Sequence, residues 1–167
     1  MSISYILTPV TPQLLEWGRE CGVPISLEAP AGRTVTRSDL AQVVESLAGF
    51  TGDVRGTEED FTASIASEEM VNWEYESDDP LLNQAFGGPH TSPRESADIY
   101  RLHPPDQSPS LSFQGHLTLI VRIASDLTKH CGPQAAFATS DGIPAFFLPD
   151  QQIPVWRNHG YEFSTRS

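Results

Sequence analysis

The sequence predicts an α+β fold: a single two-layer domain in which a mostly antiparallel sheet packs against about three helices. Three observations carry this expectation. Apolar residues recur at helical spacing in three segments, and between Phe50 and Tyr100 the spacing changes to strict alternation. A chain of 167 residues is also one domain's worth, long enough to bury a substantial core.

The elements follow in chain order. "ISYILT" (3–8) reads as a short apolar strand. Thr11 then stands as an N-cap, with Pro12 at the first helical position, where its missing N–H costs nothing. Leu14, Trp17, Gly18 and Cys21 continue at helical spacing, and Gly22 supplies a left-handed stop. "PISLE" (24–28) is read as a returning strand. The second helix has Thr36 as its cap and Asp39 near the positive end of its dipole; its stripe is Leu40, Val43, Val44 and Leu47, and Gly49 closes it.

Beyond Phe50, Phe61, Ala63 and Ile65 alternate with Thr62 and Ser64. Val71, Trp73 and Tyr75 alternate with Asn72, Glu74 and Glu76. This pattern predicts two antiparallel strands, each with one buried and one wet face, joined through "SEE" (67–69). Trp73 and Tyr75 are thereby expected to face the core. "ADIYRL" (97–102) reads as a further strand. The Pro/Gly/Ser-rich stretch between these strands reads as a loop holding one short helical turn, and "HPPDQSPS" (103–110) as a second loop.

"HLTLIVRIASDLTKHCG" (116–132) gives the clearest helix, with Leu117, Ile120, Val121, Ala124, Leu127 and Cys131 on one face. Gly132 and Pro133 end it. "QAAFATSDGIPAFFL" reads as a buried hairpin turning at Asp141-Gly142. From about residue 150 an extended tail is expected, anchored by Trp156 and Tyr161.

Composition bounds the function. Acids outnumber bases 22 to 10, a formal charge of −12 that disfavours nucleic acid and anionic membranes as partners. No apolar run is long enough to span a bilayer, and "MSISYILTPV" lacks the basic and apolar regions of a secretory signal. The two cysteines, Cys21 and Cys131, form no C-x-x-C and suit a reducing, cytoplasmic setting.

Motifs for chemistry are sparse. No G-x-S-x-G occurs, and His130 and Cys131 are adjacent on a helix, so their side chains diverge. The five histidines are scattered without metal-ligand spacing, and "DVRGTEED" (53–60) lacks the alternating ligands of a calcium loop. "FGGPH" (86–90) has no following Lys-Ser/Thr for a phosphate cradle. No cofactor is therefore expected. Glu74 and Glu76 are two apart on a strand, about 6.6 Å along the chain, and allow a carboxylate-pair reading if an apolar pocket encloses them.

The acidic distribution is more telling. Ten of the 22 acids fall between Asp53 and Asp79, and no Lys or Arg occurs from Gly56 through Pro93. Such segregation produces a directional negative field that steers a basic partner. The competing reading is a solvated strand partly neutralised by Arg94 and Arg101 folding back.

In size, in the acidic strip at 53–79 and in "NWEYESDD", with aromatics beside acids, the chain resembles the small acidic immunity proteins of bacterial toxin systems. The resemblance implies an inhibitor that covers the basic surface of a cognate toxin. On this expectation Glu58, Glu59, Asp60, Glu68, Glu69, Glu74, Glu76, Asp78 and Asp79 bind the partner, and Phe86 adds an apolar anchor. The alternatives are a small hydrolase or transferase using Glu74 or Glu76, and a noncatalytic adaptor subunit docking through an apolar face.

Overall fold

The computed structural model describes residues 4–22, 30–138, 145–148, 156–158 and 161–163. Seven strands form the main sheet: β1 (Ser4–Pro9), β2 (Phe50–Gly56), β3 (Phe61–Ser67), β6 (Ser96–Leu102), β7 (Ser110–Gly115), β8 (Gln134–Ala138) and β9 (Ala145–Phe147). Their spatial order is β2-β3-β6-β7-β1-β8-β9, and every neighbouring pair is antiparallel. The fold is α+β, as the periodicities predict.

Helices α2 (Arg37–Ser46) and α4 (Leu117–Cys131) cover one face. The α4 stripe Ile120, Val121, Ala124, Leu127 and Cys131 is buried against inward-facing residues of the sheet, among them Tyr5, Leu7, Ile65, Ile99, Leu111 and Phe113. Fully burying each Val, Leu, Ile or Phe among them contributes about 1.5–3 kcal/mol. Helix α1 (Pro12–Glu20) packs on the reverse face near one edge, where Leu15 meets Val10, Ala135 and Phe146.

The local signals act as expected. Thr11 Oγ1 accepts from Leu14 N–H at 3.2 Å, capping α1, and Thr36 and Asp39 form a reciprocal capping box on α2. Gly22, Gly49 and Gly132 take positive φ beyond the three helix ends. The β8–β9 hairpin pairs Gln134 with Phe147 and Ala136 with Ala145, while its Asp141-Gly142 turn lies outside the described residues, as does "PISLE". In the tail, β10 (Trp156–Asn158) pairs antiparallel with β11 (Tyr161–Phe163); the anchoring side chains lie outside what the structure describes.

One expectation is corrected. The two alternating segments do not pair with each other. β3 lies between β2 and β6, whereas β4 (Met70–Tyr75) pairs with β5 (Gly88–Pro93) in a separate two-stranded ribbon. Residues 67–69 are accordingly a bend in a continuing strand path and not a turn between partners. Ser67 N–H donates to Glu95 O at 2.8 Å, and Arg94 N–H donates to Glu69 O at 2.9 Å. These bonds carry the β3–β6 ladder into β4–β5, so the whole forms one long hairpin. The Ser67 hydroxyl fastens the bend by donating to Glu69 O and accepting from Glu95 N–H. A seven-residue helix, α3 (Pro80–Phe86), joins β4 to β5 at the tip.

Candidate functional site

Residues 70–93 form an arm that leaves the body. No residue of β4, α3 or β5 is buried, and among the described residues these elements pack extensively only within the arm. The sequence explains why an ordered ribbon still forms. Asp79 caps α3 by accepting from Leu81 N–H at 2.9 Å, and Pro80 occupies the first turn. Asn83 Oδ1 accepts from Ser77 N–H at 2.7 Å and ties the helix to the end of β4. Across the ribbon, Thr91 donates to Asn72 at 2.9 Å.

The alternation does sort the arm's side chains, but solvent covers both faces. Val71, Trp73 and Tyr75 lie on one face opposite Ser92, His90 and Gly88; Met70, Asn72 and Glu74 lie on the other. Trp73 stacks on His90 with centroids 4.4 Å apart, and its Nε1–H donates to Ser92 Oγ at 3.0 Å. Tyr75 meets Phe86 edge-on at 6.4 Å. The expectation that Trp73 and Tyr75 face the core is corrected: Trp73 is 45% exposed, and Tyr75 is half-buried against the arm itself. Phe86 is 58% exposed and Leu81 75%, and Met70, Val71 and Leu82 are also exposed. Exposed apolar side chains gathered on one projection mark an interaction surface more often than scattered ones do.

The acids divide into two groups. Glu58, Glu59 and Asp60 sit in the β2–β3 turn, at the opposite end of β3 from the arm. Six residue rises separate the ends of β3, about 20 Å. Glu58 is engaged at the start of α2, where Ser38 Oγ donates to it at 2.7 Å, and Asp60 lies 3.9 Å from His103. Glu68 and Glu69 stand at the arm's base, with Glu69 paired to Arg94 at 2.7 Å. Glu74, Glu76, Asp78 and Asp79 lie on the arm, and all four are exposed. Among the described residues, no ion pair or hydrogen bond holds the side chains of Glu68, Glu74, Glu76 or Asp78. The expected strip is therefore two clusters, and only the second adjoins the aromatic surface.

The carboxylate-pair geometry lacks its enclosure. Glu74 sits opposite Pro89, Glu76 lies beyond β4, and water reaches both. Among the described residues no group of three or more His, Cys, Asp or Glu side chains is placed to share a metal ion.

The strongest electrostatics lie elsewhere, in a polar knot that sequence reasoning saw only as a helix cap. Asp39 is 7% exposed and accepts from both Arg33 guanidinium nitrogens at 2.7 and 2.8 Å, and from Thr36 N–H at 2.9 Å. Burial alone would push its carboxyl up. The Arg33 guanidinium and the Thr36 donors overcome that and hold it well below the usual carboxylate range. Burial first, then the Asp39 carboxylate, pushes the neighbouring Cys131 thiol up to about 12, so it stays protonated and unreactive. Arg101 does not fold back over the acidic strip. It is buried with its guanidinium 4.8 Å from the Phe61 ring centroid.

No protein-family model, curated protein or solved structure matches this chain.

Proposed function

We propose that the chain is a toxin-neutralising, immunity-type protein that docks a basic protein partner through the 70–93 arm. One observation carries the reading. The arm is ordered by its own hydrogen bonds, contributes no buried residue to the fold, and presents exposed aromatics beside unpaired carboxylates with no Lys or Arg within it. Glu74, Glu76 and Asp78 steer and orient the partner's cations, while Trp73 and Phe86 supply the desolvated centre. Glu68 and Glu69 extend the surface at the base, and Asp79 sets the helix that presents Leu81 and Phe86. Glu58, Glu59 and Asp60 belong to a second acidic patch that reaches the partner only if it spans the length of β3. A bacterial source and a cytoplasmic site of action accompany the reading through the resemblance.

The same surface disfavours the alternatives. A glutamate acid/base needs an apolar enclosure that Glu74 and Glu76 lack, and an adaptor built on apolar contact alone leaves the charge segregation without a role. The test is a binding titration against the product of the adjacent reading frame, at low and high salt. Glu74→Lys/Glu76→Lys is expected to slow association at low salt while thermal unfolding is unchanged. Association by the doubly reversed variant at the unaltered rate would remove this face from the account.

A further inference from the structure

Resting on that reading of the arm, we infer that the partner surface it occupies is one built to bind single-stranded nucleic acid. Proteins that hold single strands combine a positively charged groove, which tracks the phosphates, with aromatic side chains on which bases stack. The arm carries the complement of both features. Its charge is of one sign: the arm holds no Lys or Arg, and Glu74, Glu76 and Asp78 are exposed on it. Its aromatics offer flat faces. Trp73 and His90 already stack at 4.4 Å with planes 21° apart, as successive bases do, and Trp73 remains 45% exposed. The hydrogen bond from Trp73 Nε1 to Ser92 Oγ fixes that ring's orientation before any partner arrives, so little side-chain entropy remains to be lost on docking.

Shape agrees with charge. The two-stranded ribbon with its one-helix tip buries neither face, so the walls of a groove can contact both, whereas a flat protein surface would touch only one. Both faces here carry docking groups: Val71 and Trp73 on one, Met70 and Glu74 on the other. A second copy of this chain is a poor occupant, because its arm carries the same acids and no Lys or Arg to pair with them. The occupant is a basic protein whose groove otherwise holds a polyanion with stacked bases.

The experiment immobilises the intact chain and keeps those proteins from the source cells whose retention is lost with both Trp73→Ala and Glu74→Lys/Glu76→Lys. These are challenged at fixed ionic strength with single-stranded oligo(dT), and in parallel with polyglutamate of equal total charge. Oligo(dT) is expected to release the partner at a concentration at least about tenfold lower than polyglutamate, because base stacking adds to charge. Equal release by the two polyanions, or retention against both, overturns the inference while leaving a basic partner in place. Absence of any arm-dependent protein overturns the inference together with the reading beneath it.

Discussion

Asp39→Ala tests the polar knot that joins the second helix to the end of the fourth. The wild-type carboxylate accepts from Arg33 at 2.7 and 2.8 Å, from Thr36 N–H at 2.9 Å and from the Thr36 hydroxyl at 2.8 Å. Removing it strips the returning half of the capping box, about 1 kcal/mol. It also removes the charge-assisted bonds to Arg33, about 1.5 kcal/mol at the low end of their range because Arg33 is half exposed and rehydrates. The sum is about 2–3 kcal/mol, within the stability of a domain this size, so the variant still folds.

Urea unfolding followed by circular dichroism measures the loss at pH 7. The pH dependence supplies the stricter check. Asp39 is held below its unfolded value, so its contribution is fully present above about pH 4 and is lost as pH falls toward the folded value. Between pH 4 and pH 3 the gap between wild type and variant should narrow by about 1 kcal/mol. A gap that stays constant over that range, or that widens, would refute the claim that the ionised carboxylate does the stabilising.

Other expected outcomes follow from packing. Gly115→Ala should destabilise by at least about 2 kcal/mol in the same assay, since φ is +142° and a Cβ would lie 2.2 Å from Ser96 O and 2.7 Å from Ala97 Cα. Replacing residues 70–93 by a two-residue Asn-Gly turn should leave the seven-stranded body folded, with a cooperative thermal transition and native hydrogen-exchange protection in α4; loss of that transition would show the arm to be structural. Trp73→Ala should change the unfolding midpoint by less than about 0.5 kcal/mol equivalent, as expected for an exposed residue. A core-sized loss would contradict its placement.

The helices were legible because their stripes, caps and stops agree. Thr36, Asp39 and the Leu40–Leu47 stripe all point to one element, and the 116–132 stripe has no competing period. The central strand β7 was not. "SLSFQG" does alternate polar and apolar residues, but the run is short and abuts the Pro-rich 103–110 loop, and it buries Ser110 and Ser112 on the face where alternation predicts water. β5 was read as loop because "GPHTSP" carries two prolines. A ribbon edge tolerates them, since among the described residues β5 pairs with β4 alone. In β4 the alternation correctly separated Trp73 from Glu74. Periodicity reports which residues share a face; what covers that face depends on distant chain, and among the described residues nothing from the body does. The same limit hid the Asp39–Arg33–Cys131 knot, whose members meet only when the 30–36 segment crosses the end of α4. Arg33 N–H then donates to Cys131 O at 2.8 Å.

The account turns on whether the arm recognises a basic partner through charge and aromatics together. The most direct measurement is the partner's dissociation constant as a function of NaCl, for the intact chain and for Glu74→Lys/Glu76→Lys. The intact chain should lose affinity steeply as screening shortens to about 8 Å near physiological ionic strength, and the reversed variant should start weaker and show a flatter dependence. Parallel curves for the two proteins, or an affinity indifferent to salt, would contradict it.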